Sequence, residues 1–169
     1  MALEQENWES RDMRYIWHPA AQMKDYEALP PMVIARAKGV WLYDVHGKKY
    51  LDIISSWWCN LFGHCNPIIN QAVKEQIDNL EHVIFANFSN EAAIRLAEAL
   101  AKIVPKGLVK FHFNDNGSAA VEAALKMCFQ YHLQTGHPER QKFMCLSEGY
   151  HGETIGALSV GSLDLYAQM

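Results

Sequence analysis

Between Leu108 and Leu146 the chain changes its apolar period twice, and that restricts the fold more than any other feature. Leu108 to Phe113 is a short run of strand type. Ser118 to about Thr135 then carries Val121, Ala124, Leu125, Cys128 and His132 at i, i+3, i+4, i+7 and i+11, which is one face of a helix. Gly136-His137-Pro138 closes the helix, and Lys142 to Leu146 reads as a second strand. Strand, helix, strand is a βαβ unit, so the expected fold class is α/β with a parallel sheet and right-handed crossovers.

The preceding sequence leads into this unit. Residues 1–31 have mixed period and end in Leu29-Pro30-Pro31, which cannot continue a helix, so an arm is expected. Val33, Ile34 and Val40 to Tyr43 are β-type runs; Asp44-Val45-His46-Gly47 is turn chemistry before Lys49 to Ile54, which predicts a hairpin or meander. Asn66-Pro67 places an N-cap before a proline at the first helical position. Ile69, Ala72, Val73, Gln76, Ile77 and Leu80 then share one face. A second helix is expected after Ser89-Asn90, with Ile94, Ala97, Leu100, Ala101 and Val104 on its buried side and Pro105 as its stop, so that the two helices cover one surface.

Composition narrows the function classes. With 169 residues, 50% hydrophobic and 20% charged, the chain has the length for a domain with a sizeable core. A net charge of -4 and a pI near 6.0 supply no basic field for nucleic acid or an anionic membrane. No apolar run approaches the roughly 20 residues a bilayer demands, and MALEQENWESRD lacks a basic and an apolar leader region, so a cytoplasmic location is expected. Cys59, Cys65, Cys128 and Cys145 have no zinc-like spacing and read as reduced, mostly buried thiols. None of the eight histidines has a ligand-spaced partner, and no metal is expected.

Three segments carry chemistry. Asn114-Asp115-Asn116-Gly117-Ser118 joins a strand to a long helix, where free amides, the positive end of the helix dipole and the Ser118 hydroxyl favour an anion; a plain glycine turn with an N-cap is the structural alternative. Gly149-Tyr150-His151-Gly152 follows a strand at the same sheet edge, and ligands in open α/β sheets bind beyond such strand ends. Tyr150 offers a stacking face there, and His151 a hydrogen-bonding or packing group, the alternative being a surface turn. Ser55-Ser56-Trp57-Trp58 ends a strand, so one tryptophan can fill core while the other lines a pocket, or both can simply pack.

Taken in order, Trp17-His18-Pro19, Ser55-Ser56-Trp57-Trp58, Asp115 to Glu122 and Gly149-Tyr150-His151-Gly152 resemble the class III pyridoxal-phosphate aminotransferases. The resemblance covers almost the whole chain. It implies the start of a fold type I large domain over 66–169, preceded by an arm and small-domain β segment over 1–65. It further implies pyridoxal 5'-phosphate as cofactor, with Gly117 and Ser118 on the phosphate and Tyr150 stacked on the ring. Trp57, Trp58 and Tyr150 would contact substrate; Asn116, His151 and Glu153 are lesser candidates. Trp17-His18-Pro19, the paired tryptophans and Lys126-Met127 through Gln130-Tyr131 look most like the branch serving biotin synthesis, which implies amino transfer to 8-amino-7-oxononanoate in a homodimer. Another ω-amino substrate within the class is the alternative. The pattern departs at Ala20, Asn114 and Asn116.

Such enzymes use a Schiff-base lysine and an aspartate on the pyridinium nitrogen. No lysine here stands in a fitting context, so catalytic residues are expected to lie outside this chain. Ser162 to Met169 reads as a helix just begun, hence as part of a longer protein. By itself the chain is expected to be inactive.

Overall fold

The computed structural model describes residues 7–161, so the charged start at 1–6 and the helix expected from Ser162 lie outside the described residues. Two compact units divide at Ile84 and Phe85.

In the first unit the arm contains a helix, α1 (Trp8–Tyr15), capped by Asn7, whose side chain accepts the Ser10 N–H at 2.8 Å. A 3-10 turn follows at Met23–Glu27. His18 Nε2 lies 2.7 Å from Asp12 Oδ1, with its ring tilted against Tyr26, which ties the Trp-His-Pro segment to α1. The expected meander forms from β1 (Ile34–Lys38), β2 (Trp41–Asp44) and β3 (Lys49–Leu51), paired antiparallel in that order. Asp44 organises its second turn: Oδ1 accepts the His46 and Lys48 amides and Oδ2 the Tyr50 hydroxyl. Burial works to raise the Asp44 pKa, but the Tyr50, Lys48 and His46 hydrogen bonds outweigh it and hold the carboxyl below its usual range. Helix α2 (Pro67–Asn79) begins where expected, with the Asn66 side chain accepting from Ile68 and Ile69.

The second unit holds α3 (Glu91–Ala101), capped by Asn90, then α4 (Gly117–Gln134) and the short α5 (Ile155–Ser159), which packs on α4. The segments 108–113 and 142–146 were expected as adjoining strands of a parallel sheet, yet they run without sheet pairing. A strand is completed by a neighbour that takes its N–H and C=O groups. No other described segment offers these two an edge.

The apolar helix faces also depart from expectation. Ile69, Val73 and Ile77 of α2 are exposed within the first unit, and Ile94 of α3 within the second. Asp44, Gly152 and Ala157 are the buried residues among those described. All four cysteines are exposed rather than buried.

Candidate functional site

Helix α4 starts at Gly117 because Asn116 is extended (φ -156°) and its side-chain oxygen accepts the Ala119 N–H at 2.8 Å. Among the described residues, the Gly117 and Ser118 amides have no protein acceptor. These are the orphan donors of a helix start, at the positive end of an 18-residue helix. A Cβ built on Gly117 meets nothing within 4 Å, so its space lies open. Phe85 and Phe111 to Asp115, the residues leading into the helix, line a hollow of about 460 Å³ to which Gly117 and Ser118 do not contribute. Open amides at the positive end of a helix are the chemistry that receives an anion.

The Gly149 to Gly152 loop comes to this turn. The Glu153 N–H donates to Ser118 Oγ at 3.1 Å, leaving the Ser118 hydroxyl proton to be given elsewhere. Gly152 is buried against Ser118, with φ +128°; a Cβ there would stand 2.8 Å from Ser118 Cβ. Only glycine permits both the dihedral and the approach. Tyr150 donates its hydroxyl to Glu153 Oε1 at 3.3 Å and remains half-exposed at 54%. The His151 ring packs over Gly149, where an added Cβ would be 3.0 Å from Nε2.

Glu122 was not singled out from the sequence as a site residue, although it lies one turn beyond Ser118 on the same helix face, the spacing at which two side chains act on one partner. Its Oε1 accepts the Gly156 amide at 2.8 Å and the Ala157 amide at 3.3 Å. A hydrogen bond from the Thr154 side chain is the largest cause of its lowered pKa; desolvation opposes this, and the two amides and the Lys126 charge reinforce it. Ser118 and Glu122 thus stitch residues 153–157 along the first turns of α4.

In the first unit Trp57 and Trp58 do not sit on a strand with alternating faces. Ser55, Ser56, Trp57 and Trp58 have φ of 50°, 47°, 61° and 69°, one left-handed turn closed by the Trp58 N–H on Ile54 O at 2.8 Å. That conformation costs roughly 1–2 kcal/mol per non-glycine residue, so something must hold it. The Asp52 carboxylate does: Oδ1 accepts the Ser56 N–H at 2.9 Å, and Oδ2 takes the Ser56 hydroxyl and His64 Nε2, each at 2.7 Å. The Ser56 amide first, then His64 and the Ser56 hydroxyl, lower the Asp52 pKa to about 2 against the opposing effect of desolvation. Trp57 and Trp58 are 64% and 77% exposed, so neither fills core among the described residues.

The helix start and the glycine-flanked aromatic loop lie within a stretch of chain that matches one family from end to end. The chain belongs to the class III aminotransferases, whose family model matches residues 22–168. More particularly, it is 46% identical to the adenosylmethionine-8-amino-7-oxononanoate aminotransferase of Geobacter sulfurreducens, over 92% of this chain and 34% of that protein. The enzyme of that name from Helicobacter pylori is 47% identical over 96% of this chain and 37% of its own length. Among solved structures, the Methanocaldococcus jannaschii enzyme of the same name superposes with a TM-score of 0.90 at 44% identity, covering 95% of this chain and 36% of that one. The omega transaminase of Pseudomonas jessenii in complex with PMP also gives 0.90, at 28% identity, covering 96% and 36%. The chain therefore spans about a third of the length of these relatives, and the likeness carries the α/β fold-type I assignment.

Proposed function

We propose that these residues are the amino-terminal part of a pyridoxal-phosphate-dependent enzyme that transfers an amino group to 8-amino-7-oxononanoate, giving 7,8-diaminononanoate for biotin synthesis. The observation that carries this reading is the seating of Gly152 on Ser118, which brings the Gly-Tyr-His-Gly loop against the open amides of the Gly-Ser turn. The relatives of that name, 46% and 47% identical, support the choice of substrate.

The Gly117 and Ser118 amides and the Ser118 hydroxyl would bind the cofactor phosphate, and Tyr150 would stack on its ring. Asn116 keeps the helix start in register, while His151 and Glu153 set the loop around Tyr150. Trp57 and Trp58 would line the acceptor pocket. When bound, pyridoxal phosphate supplies an electron sink for amino-group transfer. The amides orient it without a proton of their own to lose. Because no lysine of this chain occupies a suitable setting, the 169 residues alone would bind rather than turn over. The complete enzyme is proposed to act as a cytoplasmic homodimer on a small amino donor and this keto acceptor, without nucleic acid or membrane as partners.

Turnover of 8-amino-7-oxononanoate by the full-length enzyme tests the reading, and its absence would remove the biotin assignment. The second reading, another class III ω-aminotransferase, is favoured by the Pseudomonas jessenii likeness, and profiling of amines and acceptors separates the two. For the isolated chain, borohydride with pyridoxal phosphate should trap no adduct at a single lysine; a specific adduct would contradict that part.

A further inference from the structure

The loop carrying Trp57 and Trp58 is pinned at both ends to one place. The Asp52 N–H donates to Val40 O at 2.9 Å, and His64 exchanges backbone hydrogen bonds with Gly39 at 2.8 and 2.9 Å. Gly63, at φ +81°, lets the returning chain approach so closely that a Cβ would be 3.2 Å from Gly39 Cα. Between these anchors, the left-handed turn is held from inside by side chains that are themselves covered: Asp52 is 5% and His64 13% exposed. The two indole rings project from the turn, and no ring contact among the described residues fixes them. Their direction follows from the backbone, and the backbone follows from Asp52.

We propose that Asp52, Ser56 and His64 act as a positioning clip that sets the direction of Trp57 and Trp58, and through them acceptor specificity, without touching substrate. This rests on the functional reading above, in which the tryptophans line the acceptor pocket. Loss of the carboxylate strands three donors and frees the turn to relax toward ordinary right-handed or extended geometry. The pocket wall then becomes an ensemble, and acceptor binding weakens while the phosphate cradle in the other unit is untouched.

The test uses the full-length enzyme with Asp52→Ala and His64→Ala, set beside the conservative Asp52→Asn and His64→Gln. Asp52→Ala should raise the acceptor KM about tenfold and change kcat less than about twofold, with cofactor affinity unaltered. His64→Gln, which keeps an amide donor, should recover part of what His64→Ala loses. Independently of activity, fluorotryptophan labelling of the full-length enzyme, with Trp57 and Trp58 assigned by single replacement with Phe, should give a resolved 19F line for each that broadens or merges with the other in Asp52→Ala. If Asp52→Ala fails to fold, the His64 pair makes the same comparison. An unchanged KM with unchanged 19F lines would overturn the clip, as would a joint fall in kcat, cofactor affinity and thermal midpoint at constant KM. Wild-type enzyme that ignores 8-amino-7-oxononanoate while its 19F lines still collapse in the variants would sink the substrate reading and keep the clip.

Discussion

Gly152 shows how much one missing side chain decides. Its φ of +128° and its seat on Ser118 both exclude a Cβ, so Gly152→Ala must either push the loop off α4 or strain it. We expect a loss of about 1–3 kcal/mol in the stability of the second unit. Urea unfolding followed by far-ultraviolet dichroism measures it, and Ser118→Ala should cost less because it removes a single acceptor. Asp52 makes a different prediction, set by pH. Its carboxyl is lowered in the folded chain from 3.8 to about 2, so its stabilisation is fully present above pH 3.8 and is lost as pH falls toward 2. Tryptophan emission from the 55–58 turn should therefore change across that acid window and lose this dependence in Asp52→Asn. Neither effect was legible beforehand: nothing in Gly-Tyr-His-Gly names Ser118 as its contact, and nothing in Ser-Ser-Trp-Trp signals left-handed backbone.

At the scale of elements, legibility tracked how local the cause was. Asn66-Pro67, Asn90 and the Gly117 turn mark helix starts through bonds made within three residues, and α2, α3 and α4 begin within a residue of where the sequence puts them. The meander was likewise readable, because alternation and the Asp44 turn are local. The runs 108–113 and 142–146 were not, since a strand exists only with its neighbour, and no described segment pairs with either. Trp57 and Trp58 failed for a related reason: the strand pattern of 49–54 suggests continuation, but Asp52 closes a turn with Ser56 and His64, the latter 12 residues away. The cap on α4 gives the prediction at this scale. Asn116→Ala should lower stability by about 1 kcal/mol, read by helicity on thermal melting. Asn116→Asp should preserve the cap and yet weaken pyridoxamine-phosphate binding in the full-length enzyme, because its carboxylate stands beside the proposed phosphate seat.

For the molecule as a whole, the apolar faces matter most. Ile69, Val73 and Ile77 on α2, together with Met127 and Phe129 on α4, are exposed in quantity unusual for a lone soluble domain. The isolated chain should therefore associate, with sedimentation showing mass above 19.3 kDa that rises with concentration; a strictly monomeric species that does not bind an apolar dye would contradict this. The family assignment was carried by four short motifs spread along the sequence, which is why it could be read while the burial of these faces could not.

If the Gly-Ser turn and the Gly-Tyr-His-Gly loop make one cradle, amide NMR of the 15N-labelled chain titrated with pyridoxamine 5'-phosphate will register both at once. Gly117, Ser118, Tyr150 and Gly152 should shift together along one saturation curve, with inorganic phosphate moving the first two alone. Shifts at the turn without the loop, or along separate curves, would show two unrelated surfaces and no shared cradle.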